Sequence, residues 1–316
     1  MPGLRLPIEL ELYIIDLAIP PRTFYRAVER VQLCTTLALV HRDWTPRAQQ
    51  HLLAHIVFQA RRPQVELSER WSRSQAILES GRETKRIDLW SHDNEANAFH
   101  DIRMLNETLP KLKELGLRRS ATRVDCVEDY RALVKSGFPD YLPANALPAG
   151  LRLLSIAHFT LSSKHIERIV RMPCLDALLL TGVRYDEDDV ALATLVASHI
   201  RIFGLKGYHT TTDSTRCFKM MSSTVQHVAL LELPPWDYLW LSNNSPTLPS
   251  TLRTLTIALH SIGDTSGTES QIEARDTRLA GAARAAGIRL QIQRCATQNE
   301  MYRLDLEEWA VSVGAL

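Results

Sequence analysis

Two histidines four residues apart in "HLLAH", His51 and His55, have the spacing that sets a pair of zinc ligands on one face of a helix. The general-base glutamate that zinc hydrolysis needs beside the first histidine is missing, since residue 52 is leucine, so the pair reads as ordinary helix surface. "DEDD" at Asp186 to Asp189 has the charge to collect a cation, but at a predicted helix start its acids read as cap and dipole partners. No G-x-S-x-G elbow or P-loop occurs, and the 13 glycines include no cluster that could cradle a phosphate. Cys34, Cys126, Cys174, Cys217 and Cys295 are odd in number and lack a CxxC pair, as expected of thiols in a reducing compartment. Lysine and arginine number 37 against 36 acids, a net charge of +1, which argues against nucleic-acid or membrane-surface partners. These residues predict no catalytic site, no metal and no cofactor. They point instead to a chain that is not an enzyme and acts by holding another protein.

The elements that would do the holding begin at the N-terminus. Pro7 stands where a first helical turn tolerates proline, and a helix is expected from there to about Ala18, stopped by Pro20 and Pro21. At 100° per residue, Ile8, Leu12, Ile15 and Ile19 share one face, while Leu10, Tyr13, Ile14 and Leu17 share the opposite one. A helix apolar on two sides must be covered twice, and its near neighbours can cover only one side, so the other is expected to meet a different chain or the following domain. A second helix carries Leu33, Leu37, Val40 and Trp44 on a stripe, and Pro46 starts a third through Ala48, Leu52, Leu53 and Ile56. The leading residues "MPGLRLPIELELYIID" carry Glu9, Glu11 and Asp16 where a signal peptide needs an apolar core, and no apolar run has the length of a membrane span. A cytoplasmic or nuclear protein is expected.

"LPIEL", a following "II", then "LALVHRDW" and "RAQQHLLAHIVF" together resemble the F-box in its common fungal form. The family pattern Leu-Pro-x-Glu-Leu, an aliphatic pair and Val-Cys-x-x-Trp is met at Leu6, Pro7, Glu9, Leu10, Ile14, Ile15, Val40 and Trp44. His41 replaces the usual cysteine, and "PPRTFYRAVERVQ" lengthens the link between the first two helices. The resemblance implies that Leu6, Pro7, Leu10, Ile14, Ile15, Val40 and Trp44 dock a Skp-family adaptor and, through it, a cullin of a ubiquitin ligase.

The remainder is periodic. "TKRIDL", "LKELGL", "LRLLSI", "LDALLL", "IRIFGL", "VQHVAL", "LRTLTI" and, less regularly, "AGIRLQI" repeat the pattern L-x-x-L-x-L. The four central intervals, counted from Leu151, are 24, 25, 25 and 27 residues, the period of leucine-rich repeats, although the asparagine that normally follows the last leucine is not evident. The fold class is therefore α/β: a three-helix F-box-like module over residues 1–60, then over 61–316 a curved leucine-rich-repeat solenoid with a parallel sheet on its concave face. "RRPQVELSERWSRSQAILES" and "NEMYRLDLEEWAVSV" are expected to cap its two ends.

Strand alternation assigns Arg86, Asp88, Trp90, Glu114, Gly116 and Arg118 to one end of the concave face. Its middle receives Leu153, Ser155, Ala157, Ala177, Leu179, Thr181, Ile202, Gly204, Lys206, His227, Ala229, Leu231, Thr254, Thr256 and Ala258. One charge among those fifteen central residues fits either a protein-binding groove or a surface covered by the chain's own tail. On the first reading Leu179, Thr181, Ile202, His227, Ala229, Thr254 and Thr256 hold a protein substrate, and the chain is a ligase substrate receptor. An interaction scaffold outside any ligase is the alternative. "LPPWDYLWLSNNSPTLPS", with Trp236, Tyr238 and Trp240, breaks the period as either a recognition loop or a local core.

Overall fold

Pro7 lacks the N–H that a first helical turn leaves unpaired, and α1 (Ile8–Ala18) begins directly after it. The helix stops where Ile19 turns extended ahead of the two prolines. The computed structural model describes residues 6–60, 84–91, 109–119, 150–161, 167–169, 171–185, 199–207, 224–232, 235–243, 248–260 and 269–314. Helices α2 (Ala27–Val40) and α3 (Thr45–Leu53) complete an N-terminal module whose core holds Ile15, Ile19, Cys34 and Ala48, flanked by Leu12, Leu33, Leu37, Trp44 and Leu52. The third helix ends at Leu53, short of the expected Ile56, because the chain there enters strand β1 (His55–Ala60).

The other strands are β2 (Arg86–Ser91), β3 (Glu114–Arg119), β4 (Leu153–Ala157), β5 (Thr160–Leu161), β6 (Ala177–Thr181), β7 (Arg184–Tyr185), β8 (Ile202–Lys206), β9 (His227–Leu231), β10 (Thr254–His260) and β11 (Arg289–Cys295). Nine of the eleven strands form one sheet, β1-β2-β3-β4-β6-β8-β9-β10-β11, parallel at every pairing, and β5 and β7 form a small second sheet. Strands paired in nearly sequential order by parallel crossovers make a solenoid, and the fold is a helical module followed by a leucine-rich-repeat-like array. The first strand comes from the last residues of the 1–60 segment. Both "RRPQVELSERWSRSQAILES" and "DEDD" lie outside the described residues.

The register stacks equivalent repeat positions in rows. Ile87, Leu115, Leu154, Leu178, Phe203, Val228 and Leu255 form one row, and Leu89, Leu117, Ile156, Leu180, Leu205, Leu230 and Ile257 another. Both rows enter the main core, with the first leucine of each unit (Leu112, Leu151, Leu175, Ile200, Val225, Leu252) beneath them. At the strand exits, His158, Gly182, Gly207 and Glu232 all take left-handed backbone, φ +56° to +64°. The N–H groups of the first three donate to the last carbonyl of the next strand at 2.7 to 3.2 Å, so a backbone ladder turns the chain where the expected asparagine is missing. Helices α4 (Pro235–Asn243) and α5 (Glu269–Ala285) pack together on the core side. Tyr238 of α4 is buried and its hydroxyl donates to Asp276 of α5, so at this position the aromatic segment is core and not a recognition loop.

The chain ends in α6 (Gln298–Arg303) and α7 (Leu306–Ser312), and these cap no end of the array. They lie across the sheet's second face, α7 over β6, β8 and β9 and α6 over β10 and β11. No described helix is long and apolar enough to cross a membrane.

Candidate functional site

Two surfaces answer to the predicted residues, and the structure treats them oppositely. On the helical module, Ile15 and Ile19 turn inward, while Leu6, Pro7, Leu10, Tyr13, Ile14 and Leu17 stay in solvent, with Leu10 50%, Ile14 52% and Leu17 68% exposed. Leu39 and Val40 at the end of α2 add two more exposed aliphatic side chains. The predicted two-faced helix is thus observed, with one face uncovered among the described residues. Two residues assigned to adaptor contact do not belong to that surface. Ile15 is only 3% exposed and lies in the module core. Trp44 packs against the same core, and its indole N–H donates to Glu11 Oε2 at 2.9 Å. Both are apolar anchors of the helix packing, which a spacing pattern cannot separate from contact residues.

Polar pairs tie the three helices together. Arg47 forks onto Asp16, and these hydrogen bonds push the Asp16 carboxyl down to about 2. His51 Nε2 pairs with the same carboxylate at 2.8 Å. Arg30, buried in α2, donates to the Pro20 and His51 carbonyls. His51 therefore bridges α1 and α2, while His55 begins β1 and puts Nε2 2.7 Å from Asp88 Oδ2. The two histidines are not ordinary helix surface, because the helix ends between them, and each ring meets a different carboxylate instead of a shared metal position.

The second surface is the sheet face assigned to substrate. It carries the predicted residues, but the chain's own tail lies on them. Leu179, Ile202 and Ala229 are buried in a second core with Leu153, Ala177, Leu231 and Ala258, covered by Met301, Leu306, Trp309 and Ala310. Thr181, His227, Thr254 and Thr256 are half-buried, and Thr256 Oγ1 accepts the Trp309 indole N–H at 3.1 Å. The expectation of an open apolar groove is corrected accordingly: small residues such as Ala177, Gly204 and Ala229 make room for a helix of the same chain. A Cβ on Gly204 would stand 2.9 Å from both Leu179 Cδ2 and Leu306 Cδ2.

The charged end of this face is also closed. Arg86 and Asp88 are fully buried and joined at 2.8 and 2.9 Å. Glu307, likewise fully buried, receives Arg86 Nη2 at 2.8 Å, Arg118 Nη2, Ser155 Oγ at 2.9 Å and the Phe24 N–H at 2.8 Å. Burial opposes ionisation of Glu307, but Arg86 and Arg118 outweigh it and hold the carboxyl below its ordinary range. Asp305 caps α7 by accepting the N–H groups of Glu307 and Glu308. Burial and the Glu307 charge push Asp305 up to about 6. Asp88 needs the space over Gly116, where a Cβ would fall 1.7 Å from its Oδ1.

The lengthened link between α1 and α2 reaches the same cluster. Arg22 Nη2 donates to Glu114 Oε1 at 2.7 Å, Phe24 N–H to Glu307, and Arg26 Nε to Glu308 Oε1 at 2.8 Å. The Phe24 ring stands edge-on to Trp90 with centroids 5.6 Å apart, and the Arg118 guanidinium lies 4.4 Å from its centre. The insertion that set the link apart from the F-box pattern is thus a clasp between module, sheet and tail. A cleft of about 460 Å³ opens beside it between α2 and β1, walled by Tyr25, Val28, Val31, Leu52, Val57 and Trp90. Its one imidazole, His55, is engaged by Asp88.

No family model matches this chain, and no curated protein matches it. Among solved structures it is similar to the crystal structure of an internalin from Listeria monocytogenes, at 12% identity and a TM-score of 0.30, over 73% of this chain and 68% of that one.

Proposed function

We propose that this chain is the substrate-recognition subunit of a Skp/cullin/F-box-type ubiquitin ligase, with the N-terminal helices docking the adaptor and the solenoid presenting a target protein. The observation that carries the reading is the exposed aliphatic stripe of α1, Leu10, Ile14 and Leu17, on a helix whose opposite face sends Ile15 and Ile19 into the module core. Continuous apolar surface of this kind marks contact with another protein. A receptor must also hold its two ends in fixed relation, and the Arg22, Phe24 and Arg26 clasp supplies that rigidity. Nothing in the reading calls for catalysis by this chain, since ubiquitin transfer belongs to other subunits.

The test is copurification with a Skp-family adaptor. Leu10→Asp with Ile14→Asp is expected to abolish capture, because two carboxylates cannot be buried unpaired against an apolar partner. Capture of the double variant at unchanged affinity refutes the docking face. An adaptor that binds neither variant nor parent refutes the ligase assignment and leaves an interaction scaffold outside any ligase.

A further inference from the structure

One row of the sheet is neither core nor covered by the tail. The residue just before each of the strands β2 to β10 in the main sheet lies between a buried residue and the first strand residue, and its N–H joins the cross-strand ladder: Lys113 to Lys85, Arg152 to Lys113, Asp176 to Arg152, Arg201 to Asp176, Gln226 to Arg201 and Arg253 to Gln226. Stacked strands lie about 4.8 Å apart, so these side chains form a regular line along the strand-entry rim. Lys85, Lys113 and Arg152 are consecutive in it, and they are exposed, as are Arg201, Arg253 and the neighbouring Lys111. The single carboxylate of the line, Asp176, is held by both arms of Arg201 at 2.5 Å.

Five cations against one acid in this line, with Arg201 alone paired to that acid, is a local excess in a chain whose 37 basic and 36 acidic residues nearly cancel. The field reaches His227, whose imidazole is held below its ordinary range by burial and then by Arg253 and Arg201. Three exposed like charges side by side, Lys85, Lys113 and Arg152, repel one another, so their alignment favours an opposite charge from outside.

We infer that the strand-entry rim, centred on Lys85, Lys113 and Arg152, is a docking surface for an acidic segment of a partner protein. The inference deepens the receptor reading and rests on its second half, that the solenoid holds a protein. It moves recognition from the covered sheet face to the rim. The spacing suits carboxylates that recur once per helical turn, about 5.4 Å, within the reach of lysine and arginine stems. A nucleic-acid strand has the charge too, but proteins that hold one stack its bases on aromatic rings, and the described rim line has no Phe, Tyr or Trp.

The experiment measures binding of a labelled polyglutamate peptide and of an oligothymidylate of equal charge to the full chain by fluorescence anisotropy at several salt concentrations. The variants are a rim triple, Lys85→Glu, Lys113→Glu and Arg152→Glu, and a control triple on exposed basic residues elsewhere, Arg278→Glu, Arg284→Glu and Arg303→Glu. Both triples change the net charge equally. The parent is expected to bind the peptide in a salt-dependent way, the rim triple to lose about tenfold or more, and the control triple to keep most of the affinity. Equal loss in both triples overturns the rim as a site, as does no binding by a parent shown folded by circular dichroism. Tighter binding of the oligothymidylate than of the peptide overturns the choice of a protein partner. Adaptor capture measured on the same preparations separates the two readings, since rim reversal leaves α1 untouched: failure of the rim with adaptor capture intact refutes this inference alone.

Discussion

Replacing Glu307 by glutamine keeps the shape of one side chain in α7 and removes one charge. In the native chain that carboxylate accepts from Arg86, Arg118, Ser155 Oγ and the Phe24 N–H, all inside the fold. Glutamine offers one oxygen where two were used and turns an NH₂ group toward donors, leaving at least one buried guanidinium short of a counter-charge. Breaking a buried ion pair from one side costs about 3–5 kcal/mol, and the fully buried state of Arg86 and Glu307 sets the expectation there. Glu308, one residue along, pairs with Arg26 at 2.8 Å with both side chains more than 40% exposed, so Glu308→Gln is expected to cost about 0–1 kcal/mol. Urea unfolding at neutral pH, with both variants beside the parent, reads the difference directly. The folded-state pKa of Glu307 is depressed, so its contribution is present above its unfolded value and is lost as pH falls through the folded one. The gap between parent and Glu307→Gln should therefore narrow in acid, below about pH 4. Equal small costs for the two glutamines, or a gap indifferent to acid, would show that α7 is not locked to the sheet by this carboxylate.

Four further outcomes are expected. Asp305 has the opposite sign: its pKa is raised, so its favourable share is complete below about pH 4 and is lost as pH rises toward about 6. Asp305→Asn keeps the cap and should stabilise the chain at pH 7 by about 1–3 kcal/mol but not at pH 4; a loss at pH 7 refutes the buried-charge argument. Gly116→Ala should cost as much as a broken buried pair, about 3–5 kcal/mol, because its methyl takes the place of Asp88 Oδ1, and thermal melting checks it. Leu180→Ala should cost about 2–5 kcal/mol as a core truncation and Thr256→Ala only about 0.5–1.5 kcal/mol for its bond to Trp309, and equal costs in urea would mean the strand register is wrong. A chain ending at Leu304 should expose Leu179, Ile202 and Leu231 and so bind an apolar dye or self-associate, and a dye-silent monomer would contradict the covering role of α7.

The solenoid was legible because its signal is local and repeated. Buried leucines at fixed spacing, as in Leu151, Leu154 and Ile156, can be counted along the chain, and alternation then assigns Leu178 and Leu180 to one face and Ala177 and Leu179 to the other. The first strand escaped the count although it obeys the same rule: Leu53, Ile56 and Phe58 are an L-x-x-I-x-F copy ahead of the unit at Thr84. Leu52, Leu53 and Ile56 also satisfy a helical spacing, and a short apolar run fits both periods. The stiff β-branched pair Ile56-Val57 was the signal that favoured a strand.

What covers a face is a different kind of information. Periodicity fixes which side chains share a surface, but the occupant comes from residues 53 positions away at Thr256 and 189 at Arg118, and no local pattern carries such distances. The composition still held a clue. Alanine, glycine and threonine at Ala177, Gly204, Ala229 and Thr256 suit a helix at close range, and "LDLEEWAVS" is amphipathic with one carboxylate, Glu307, set beside the apolar Leu306, Trp309 and Ala310. A carboxylate so placed needs buried cations, and Arg86 and Arg118 stand on the same sheet face with Asp88 and Glu114 as that face's near acids among the described residues. Matching lone charges across two apolar surfaces is therefore a way to pair distant segments before a structure is known. Applied to α1 the same test gives the contrary answer. Leu10, Ile14 and Leu17 meet no small-residue groove among the described residues, and that stripe stays exposed while the sheet face is covered.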